Sequence, residues 1–352
     1  MSDEATRDAD VPAPEPDEVR QVVPRDAIPA VDDPAFVPPG EYDGDADDEV
    51  VAVAVDGDAR AYPVRYLHYH EVVNDEVGGR PVAVTWCPLC GSAVVYDRRV
   101  ADRTLSFGVS GKLADDDLVL YDRETDSEWK QSAGVGIDGD LAGERLDPVA
   151  APLFPLSRFR ERHPDGVVLA PPGGESEAAG DGDDPATIDY EEDPYEGYVA
   201  AEGFGLAAHR GDGTERRGWP VDRLDPKAVV CGLELDGDAV GVPRPVVAEA
   251  GGVVTLRVGG VDAVVLAADE AGIHAFRDPG FDWDPAADGV RGGGVLWDPA
   301  TGEAVDRSDA GDDAEVGADG SPPGGTLDRL PARRLFAFAW VDDHGVESLY
   351  RG

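Results

Sequence analysis

The chain has 352 residues, with 74 Asp and Glu against 30 Lys and Arg, and a net charge of −44. This length is enough for about two domains of roughly 150 residues each, and the acidity argues against a nucleic-acid partner, which would need a basic patch. An acidic, lysine-poor surface on a chain that is still 41% hydrophobic suits a halophilic cytoplasm. There, concentrated salt screens like charges within about 3 Å at 1 M.

The first 20 residues are acidic and rich in proline, which predicts a solvated, disordered tail. They contain no apolar stretch of the kind that a secretory signal needs. Nothing in the chain approaches 18 consecutive apolar residues, so we expect no membrane span. The sequence therefore predicts a cytoplasmic protein.

Strand patterns separated by tight turns begin after the tail. Residues 50–55 and 59–62 predict a hairpin that turns at Asp56 and Gly57, and a second hairpin turns at Gly78 and Gly79. Between the two hairpins, Pro63 opens a short segment over residues 64–74 that we expect to be helical. The sequence therefore predicts a mainly β fold with short helices.

A composition shift suggests two related halves. Residues 171–190 predict an acidic linker or insertion rich in Gly and Pro, with a first β-rich repeat over 21–170 and a second, degenerate one over 191–352. Four landmarks of the first half recur after about 180 residues, which indicates an internal duplication. Aligning the halves places Ala268 opposite Cys87 and Ala271 opposite Cys90, so we expect the chemistry in the first half.

The segment Cys87-Pro-Leu-Cys-Gly91 is the main candidate site. Apolar, β-branched residues on both sides predict a strand before it and another after it. A thioredoxin-type motif needs a helix directly after its second cysteine, and a haem attachment needs a histidine at position 91. A turn between strands with Pro and Gly favours a metal-binding knuckle, while thiol redox chemistry and simple packing stay open as alternatives.

His70 is the best candidate for a third ligand. On a helix it shares a face with apolar residues, whereas His68 points almost oppositely. Glu71 or Asp75 can supply an oxygen ligand or hold the imidazole. Thiolates with an imidazole suit zinc or copper(I), and these residues do not choose between the two metals.

Lysines are rare in this chain, and two of the three lie in the first half's motif region. Lys112 and Lys130 therefore suggest an anion contact or a buried ion pair, for example with Asp122, against the alternative of ordinary surface lysines. Trp129 is expected near this site as a core aromatic rather than part of a ligand cage. The sequence around Lys112 lacks the frame of a phosphate-binding loop, so we expect no nucleotide cofactor.

Several motifs in combination resemble a known family. They are Asp58-Ala-Arg-Ala-Tyr-Pro63, His70-Glu-Val-Val-Asn-Asp75, Gly78-Gly-Arg-Pro-Val82, Cys87-Pro-Leu-Cys-Gly91, Ser106-Phe-Gly-Val-Ser-Gly-Lys-Leu113, Tyr121-Asp-Arg-Glu-Thr-Asp-Ser-Glu-Trp129 and Asp193-Pro-Tyr-Glu-Gly-Tyr198. Over about residues 22 to 350 the chain resembles the family called domain of unknown function 3179, of a haloarchaeal type. The resemblance implies no established activity.

Three hypotheses for function follow from the sequence. The first is a metal-binding module with Cys87, Cys90 and His70 as ligands. The second is a thiol-disulfide enzyme in which one of the two cysteines attacks and the other resolves. The third is an interaction scaffold without chemistry. The sequence assigns no enzymatic activity, substrate, small-molecule ligand or protein partner.

Overall fold

The structure, a computed structural model, describes residues 16–180, 184–211, 217–267, 272–287, 289–306 and 325–352. Strands account for 42% and helices for 15%, so the predicted mainly β fold with few short helices is confirmed. No helix within these ranges is long and apolar enough to cross a membrane.

The chain forms two units. The larger unit holds the described residues up to Lys227 together with Arg333–Asp343, and the smaller unit holds Ala228–Ala332 and His344–Gly352.

The larger unit contains the first eighteen strands and four helices. The strands are β1 (Val19–Gln21), β2 (Phe36–Val37), β3 (Glu49–Val55), β4 (Asp58–Pro63), β5 (Val72–Val77), β6 (Arg80–Cys87), β7 (Ser92–Asp97), β8 (Arg99–Val100), β9 (Arg103–Thr104), β10 (Phe107–Ala114), β11 (Asp117–Asp122), β12 (Glu128–Lys130), β13 (Val135–Asp138), β14 (Pro148–Val149), β15 (Leu153–Pro155), β16 (Val167–Leu169), β17 (Glu175–Ser176) and β18 (Ala186–Thr187). The helices are α1 (Val64–His70), α2 (Leu156–Arg162), α3 (Glu196–Ala200) and α4 (Gly205–Arg210), with a 3-10 turn at Glu177–Ala179.

The described part of the smaller unit contains nine further strands and one α-helix. They are β19 (Val229–Leu235), β20 (Asp238–Pro243), α5 (Arg244–Glu249), β21 (Val253–Val258), β22 (Val261–Ala267), β23 (Ile273–Arg277), β24 (Trp283–Ala286), β25 (Gly289–Gly292), β26 (Val295–Trp297) and β27 (Ala304–Asp306), with a 3-10 turn at Val346–Ser348. The chain then adds β28 (Arg333–Phe336) to the larger unit, followed by α6 (Ala337–His344).

Three groups of strands organise the larger unit. One sheet has the order β1-β10-β11-β12-β13, and another has the order β15-β3-β4-β16-β2. The third group is β5-β6-β7, with β14 and β28 both paired to β7. Its strands are buried on nearly every residue, so β6 and β7 lie inside the unit and place the turn between them in the interior.

Both predicted hairpins of the first half are present. Asp56 and Gly57 have φ of 47° and 88°, and Gly78 and Gly79 have φ of 55° and 78°. Positive φ at both central residues is the two-residue turn whose twist matches that of paired strands. The first hairpin joins β3 to β4 and the second joins β5 to β6.

The helix predicted over residues 64–74 is shorter than expected. It ends at His70, because Glu71 adopts a left-handed conformation with φ of 57°. Val72 then begins β5, which is the structure that β-branched residues favour. This difference matters for the site, because Glu71 lies just after the helix and does not belong to it.

Two predicted boundaries differ from the structure. Residues 1–15 of the predicted tail lie outside the described residues, and β1 begins at Val19 and pairs with β10. The segment 171–190, predicted as a linker, contains β17, β18 and the 3-10 turn, and belongs to the larger unit. The two units instead divide between Lys227 and Ala228.

The internal duplication stays a prediction. The larger unit has the order β3-β4-α1-β5-β6-β7 and the smaller unit has β19-β20-α5-β21-β22-β23, so a hairpin, a helix, a second hairpin and a strand follow one another in both. Ala268 and Ala271, which the alignment sets opposite the two cysteines, lie outside the described residues.

Candidate metal centre

The turn between β6 and β7 carries both cysteines. Cys87 ends β6 and is paired in register with Ser92, which begins β7. Between them the chain folds back on itself, so that the Cys90 N–H donates to the Cys87 sulfur at 3.4 Å. Both cysteines are free thiols and fully buried. The predicted tight turn between two strands is therefore present.

Gly91 is required in this turn for two reasons. Its φ is 56°, which side chains rarely adopt, and a Cβ there would lie 2.7 Å from the Phe336 ring. The Phe336 N–H donates to the Cys90 carbonyl at 2.7 Å, and Arg334 Nη1 donates to the Gly91 carbonyl at 2.8 Å. Strand β28 thus packs against the turn and donates hydrogen bonds to its backbone.

Asp117, the first residue of β11, completes a cluster with the two thiols. The Cys90 thiol donates to Asp117 Oδ1 at 3.0 Å, and the Ser132 N–H donates to Oδ2 at 2.9 Å. One ligand atom from each of Cys87, Cys90 and Asp117 lies within 4.8 Å of the others. The three side chains are at most 1% exposed, so this is a dry group of three atoms that could share one metal ion.

Burial favours the protonated forms of these groups in the metal-free protein. It raises the pKa of Cys87, and it raises the pKa of Cys90 well above the usual range, with Cys87 and Asp117 adding to the effect. Burial also raises the pKa of Asp117, although the Lys130 ammonium opposes that shift. A metal ion would supply the positive charge that now comes from protons, and its binding would release them.

A buried ion pair lies beside the cluster. Lys130 Nζ is 2.6 Å from Asp343 Oδ1, and both side chains are 1% exposed. Burial alone would lower the pKa of Lys130, but the attraction of Asp343 and Asp117 raises it overall. Ser132 Oγ also donates to Asp343 at 3.0 Å. Lys130 is therefore a permanent cation next to Asp117.

His70 does not join the cluster. Its Nδ1 lies 2.8 Å from the Pro29 carbonyl and its Nε2 lies 2.7 Å from the Tyr190 hydroxyl. Both ring nitrogens are thus occupied by partners distant in sequence, and burial lowers the pKa of His70. Among the described residues, the third member of the cluster is Asp117 and not His70. His68, predicted to point away from His70, stacks on Trp86 and contacts Asp193.

The other predicted polar residues serve separate contacts. Asp75 accepts from Arg60 and from the Tyr62 hydroxyl. Lys112 Nζ pairs with Glu128 at 2.6 Å, so neither Lys112 nor Lys130 pairs with Asp122 as proposed from the sequence.

Asp122 closes a turn with Thr125. It also accepts from the indole N–H of Trp129 at 2.9 Å. Trp129 is fully buried, in agreement with its prediction as a core aromatic.

Glu71, the remaining predicted accessory residue, has a carboxyl oxygen without a hydrogen-bond partner. It is 6% exposed, and Oε2 has no hydrogen-bond partner. Burial raises the pKa of Glu71 to about 8, with Glu177 and Asp117 contributing. The charge of the Glu71 carboxylate in turn contributes to the raised pKa of Cys87.

The fold and site define a mainly β protein with a buried cluster of two thiols and one carboxyl group that could hold a metal ion. The chain belongs to the family described as protein of unknown function (DUF3179), whose model matches residues 25–346. This confirms the resemblance seen in the sequence. No curated protein and no solved structure matches the chain.

Proposed function

We propose that the larger unit is a metal-binding module in which Cys87, Cys90 and Asp117 are the ligands. The observation that carries this proposal is the convergence of three ligand atoms within 4.8 Å in a fully buried site. Two buried thiols and a buried carboxyl group are costly to hold together without a charge to neutralise them. A bound cation removes that cost.

The ligand set favours zinc over copper(I). Thiolates suit both ions, but a carboxylate oxygen is an ordinary zinc ligand and a poor match for soft copper(I). Zinc in proteins takes four ligands in a tetrahedron, so three protein ligands leave one position for water or another small ligand. The Ser132 N–H would hold Asp117 in place, and the Lys130 ammonium would help to balance its charge.

Thiol redox chemistry is the competing function. It needs a thiolate, and reactive cysteines lie in electropositive, partly exposed surroundings. Here both thiols are buried, their pKa values are raised, and their neighbour is a carboxyl group. The strand after Cys90 also provides no helix N-terminus to stabilise a thiolate. These features support metal binding over disulfide exchange.

Elemental analysis of protein purified in high salt without chelator tests the proposal. We expect about one zinc ion per chain, with Cys87→Ser and Cys90→Ser abolishing retention. Asp117→Asn should weaken zinc binding by at least ~10-fold, because the amide has the same size and lacks the charge.

Cys231→Ser is the matched control, since Cys231 is a buried free cysteine in the smaller unit. It should leave zinc content unchanged. Metal-free protein in which Cys87 and Cys90 cycle through a disulfide would contradict the proposal and favour the redox function.

A further inference from the structure

Glu71 combines a strained backbone with a buried, unsatisfied carboxyl oxygen. Its φ is 57°, in the left-handed region that non-glycine residues seldom occupy. Its backbone is fixed, because its N–H donates to the Leu67 carbonyl and its own carbonyl accepts from the Trp86 N–H. Its Oε2 is buried and has no partner. Leaving such an atom unpaired is energetically costly, and backbone strain of this kind is concentrated at ligand sites.

Glu71 lines a cavity of the larger unit. Cys87 and Tyr195 lie on its wall, and most of the remaining surface is apolar, with Val22, Leu113 and Leu206 among the contributors. About 90 Å³ is open to the centres of water-sized molecules. Since one water needs about 10–15 Å³ by this measure, the space suits a ligand of roughly six non-hydrogen atoms.

The charges around Glu71 favour a positive ligand. Glu177 and Asp117 act on Glu71 as like charges. Lys112 is on the cavity wall, but its ammonium is already paired with Glu128 at 2.6 Å. His209 and Arg210 lie on the exposed rim. A divalent ion bound by Cys87, Cys90 and Asp117 would leave that cluster with a net negative charge, because two thiolates and a carboxylate carry three negative charges.

A second, polar depression adjoins the cavity. Both are lined by Glu177, Tyr195, His209 and Arg210. The depression adds Asp189 and Glu192, which are carboxylates at its surface. A cation approaching from solvent would therefore pass acidic groups before it reached Glu71.

We propose that this cavity binds a small organic cation, an ammonium group on a short apolar body, with Glu71 as the residue that pairs with the ammonium. An ammonium would satisfy the orphan oxygen, and the apolar body would cover the aliphatic wall. An anion would meet Glu71, Glu177 and Asp117 as like charges. A neutral alcohol would fill the space but supply no positive charge to stabilise the ionised form of Glu71. The inference does not rest on the proposed metal site.

Ligand-observed NMR titrations in high salt test this proposal with three probes of equal length: n-pentylammonium, n-pentanol and pentanoate. We expect n-pentylammonium to bind saturably and at least ~10-fold more tightly than the other two, since a hydrogen bond between charged groups is stronger than one between neutral groups. Glu71→Gln keeps the size of the side chain and should weaken n-pentylammonium binding by at least ~10-fold.

Two further variants keep the test decisive. Val22→Phe places a ring at the half-buried cavity wall and should also abolish binding, which covers the case in which Glu71→Gln does not fold. Glu76→Gln removes an exposed carboxylate nearby on β5 and should leave binding unchanged. Equal binding of n-pentanol and n-pentylammonium, binding that Glu71→Gln leaves intact, or no binding of any probe would overturn the assignment.

Discussion

Lys130→Met is expected to destabilise the larger unit strongly. The Lys130 ammonium lies 2.6 Å from Asp343, and both side chains are 1% exposed. At an effective dielectric constant of about 20 their attraction is about 6 kcal/mol, which is offset by a desolvation cost of several kcal/mol for each ion. The intact pair is therefore close to neutral in net free energy. Removing one partner leaves an uncompensated buried charge, and we expect a loss of about 3–5 kcal/mol.

A double-mutant cycle separates the pair from the packing around it. In Lys130→Met with Asp343→Leu no buried charge of the pair remains, so the double variant should lose much less stability than the two single variants together. A residual loss of about 1 kcal/mol is expected, because the Ser132 hydroxyl loses its acceptor in Asp343. Arg257→Met breaks an exposed pair with Asp262 and, as the control, should cost at most about 1 kcal/mol.

Urea denaturation at fixed high salt, followed by circular dichroism and extrapolated linearly to zero urea, gives these free energies of unfolding. Urea is used because guanidinium would change the ionic strength. A Lys130→Met loss below about 1 kcal/mol, or a double variant equal to the sum of the single ones, would refute the reasoning.

Three further predictions concern charge, backbone and pH. Dialysis below roughly 0.5 M salt should unfold the protein, because self-repulsion at a net charge of −44 is no longer screened; a circular dichroism spectrum unchanged in millimolar salt would contradict this. Gly91→Ala should lower the free energy of unfolding by about 2–4 kcal/mol, through strain at positive φ and overlap with Phe336. The control Gly57→Ala, also at positive φ but with open space around it, should lower it by only about 1–2 kcal/mol. Equal losses of stability in thermal melts would refute the role given to Phe336. Because the pKa of Glu71 rises from 4.5 to about 8 on folding, the folded state holds the extra proton and stability should fall as pH rises from about 4.5 through about 8; Glu71→Gln should remove that slope in urea titrations across this pH range.

Local patterns explain what the sequence predicts well. Asp56 with Gly57, and Gly78 with Gly79, encode turns through backbone conformations that few other residues adopt. The Cys-Pro-Leu-Cys-Gly segment likewise encodes its turn in five consecutive residues. Such features depend only on residues that are adjacent in the chain, so the hairpins and the turn that carries the cysteines can be predicted from the sequence.

The third ligand depends on contacts that the sequence does not display. Asp117 follows Asp115 and Asp116 in a chain with 74 acidic residues, and such a run is usually a solvated turn. Asp115 and Asp116 do form the turn, with positive φ, while Asp117 begins β11 and is buried against Cys90. Nothing in the run distinguishes the buried acid from its neighbours.

Long-range partners also explain why His70 lies outside the cluster. Its position on a buried helical face is correct, but its ring nitrogens contact Pro29 and Tyr190, which are 41 and 120 residues away. The rarity of lysine did signal that Lys130 is unusual. Its partner Asp343 belongs to a segment that returns to the larger unit only after the smaller one, so no local pattern could identify the pair.

X-ray absorption spectroscopy at the zinc edge, on protein purified in high salt without chelator, tests the proposed metal centre most directly. We expect two sulfur ligands at about 2.3 Å and oxygen at about 2.0–2.2 Å, with the sulfur signal lost in Cys87→Ser and retained in Cys231→Ser. Protein that carries no metal, or a zinc signal from nitrogen and oxygen ligands alone, would contradict a site formed by Cys87, Cys90 and Asp117.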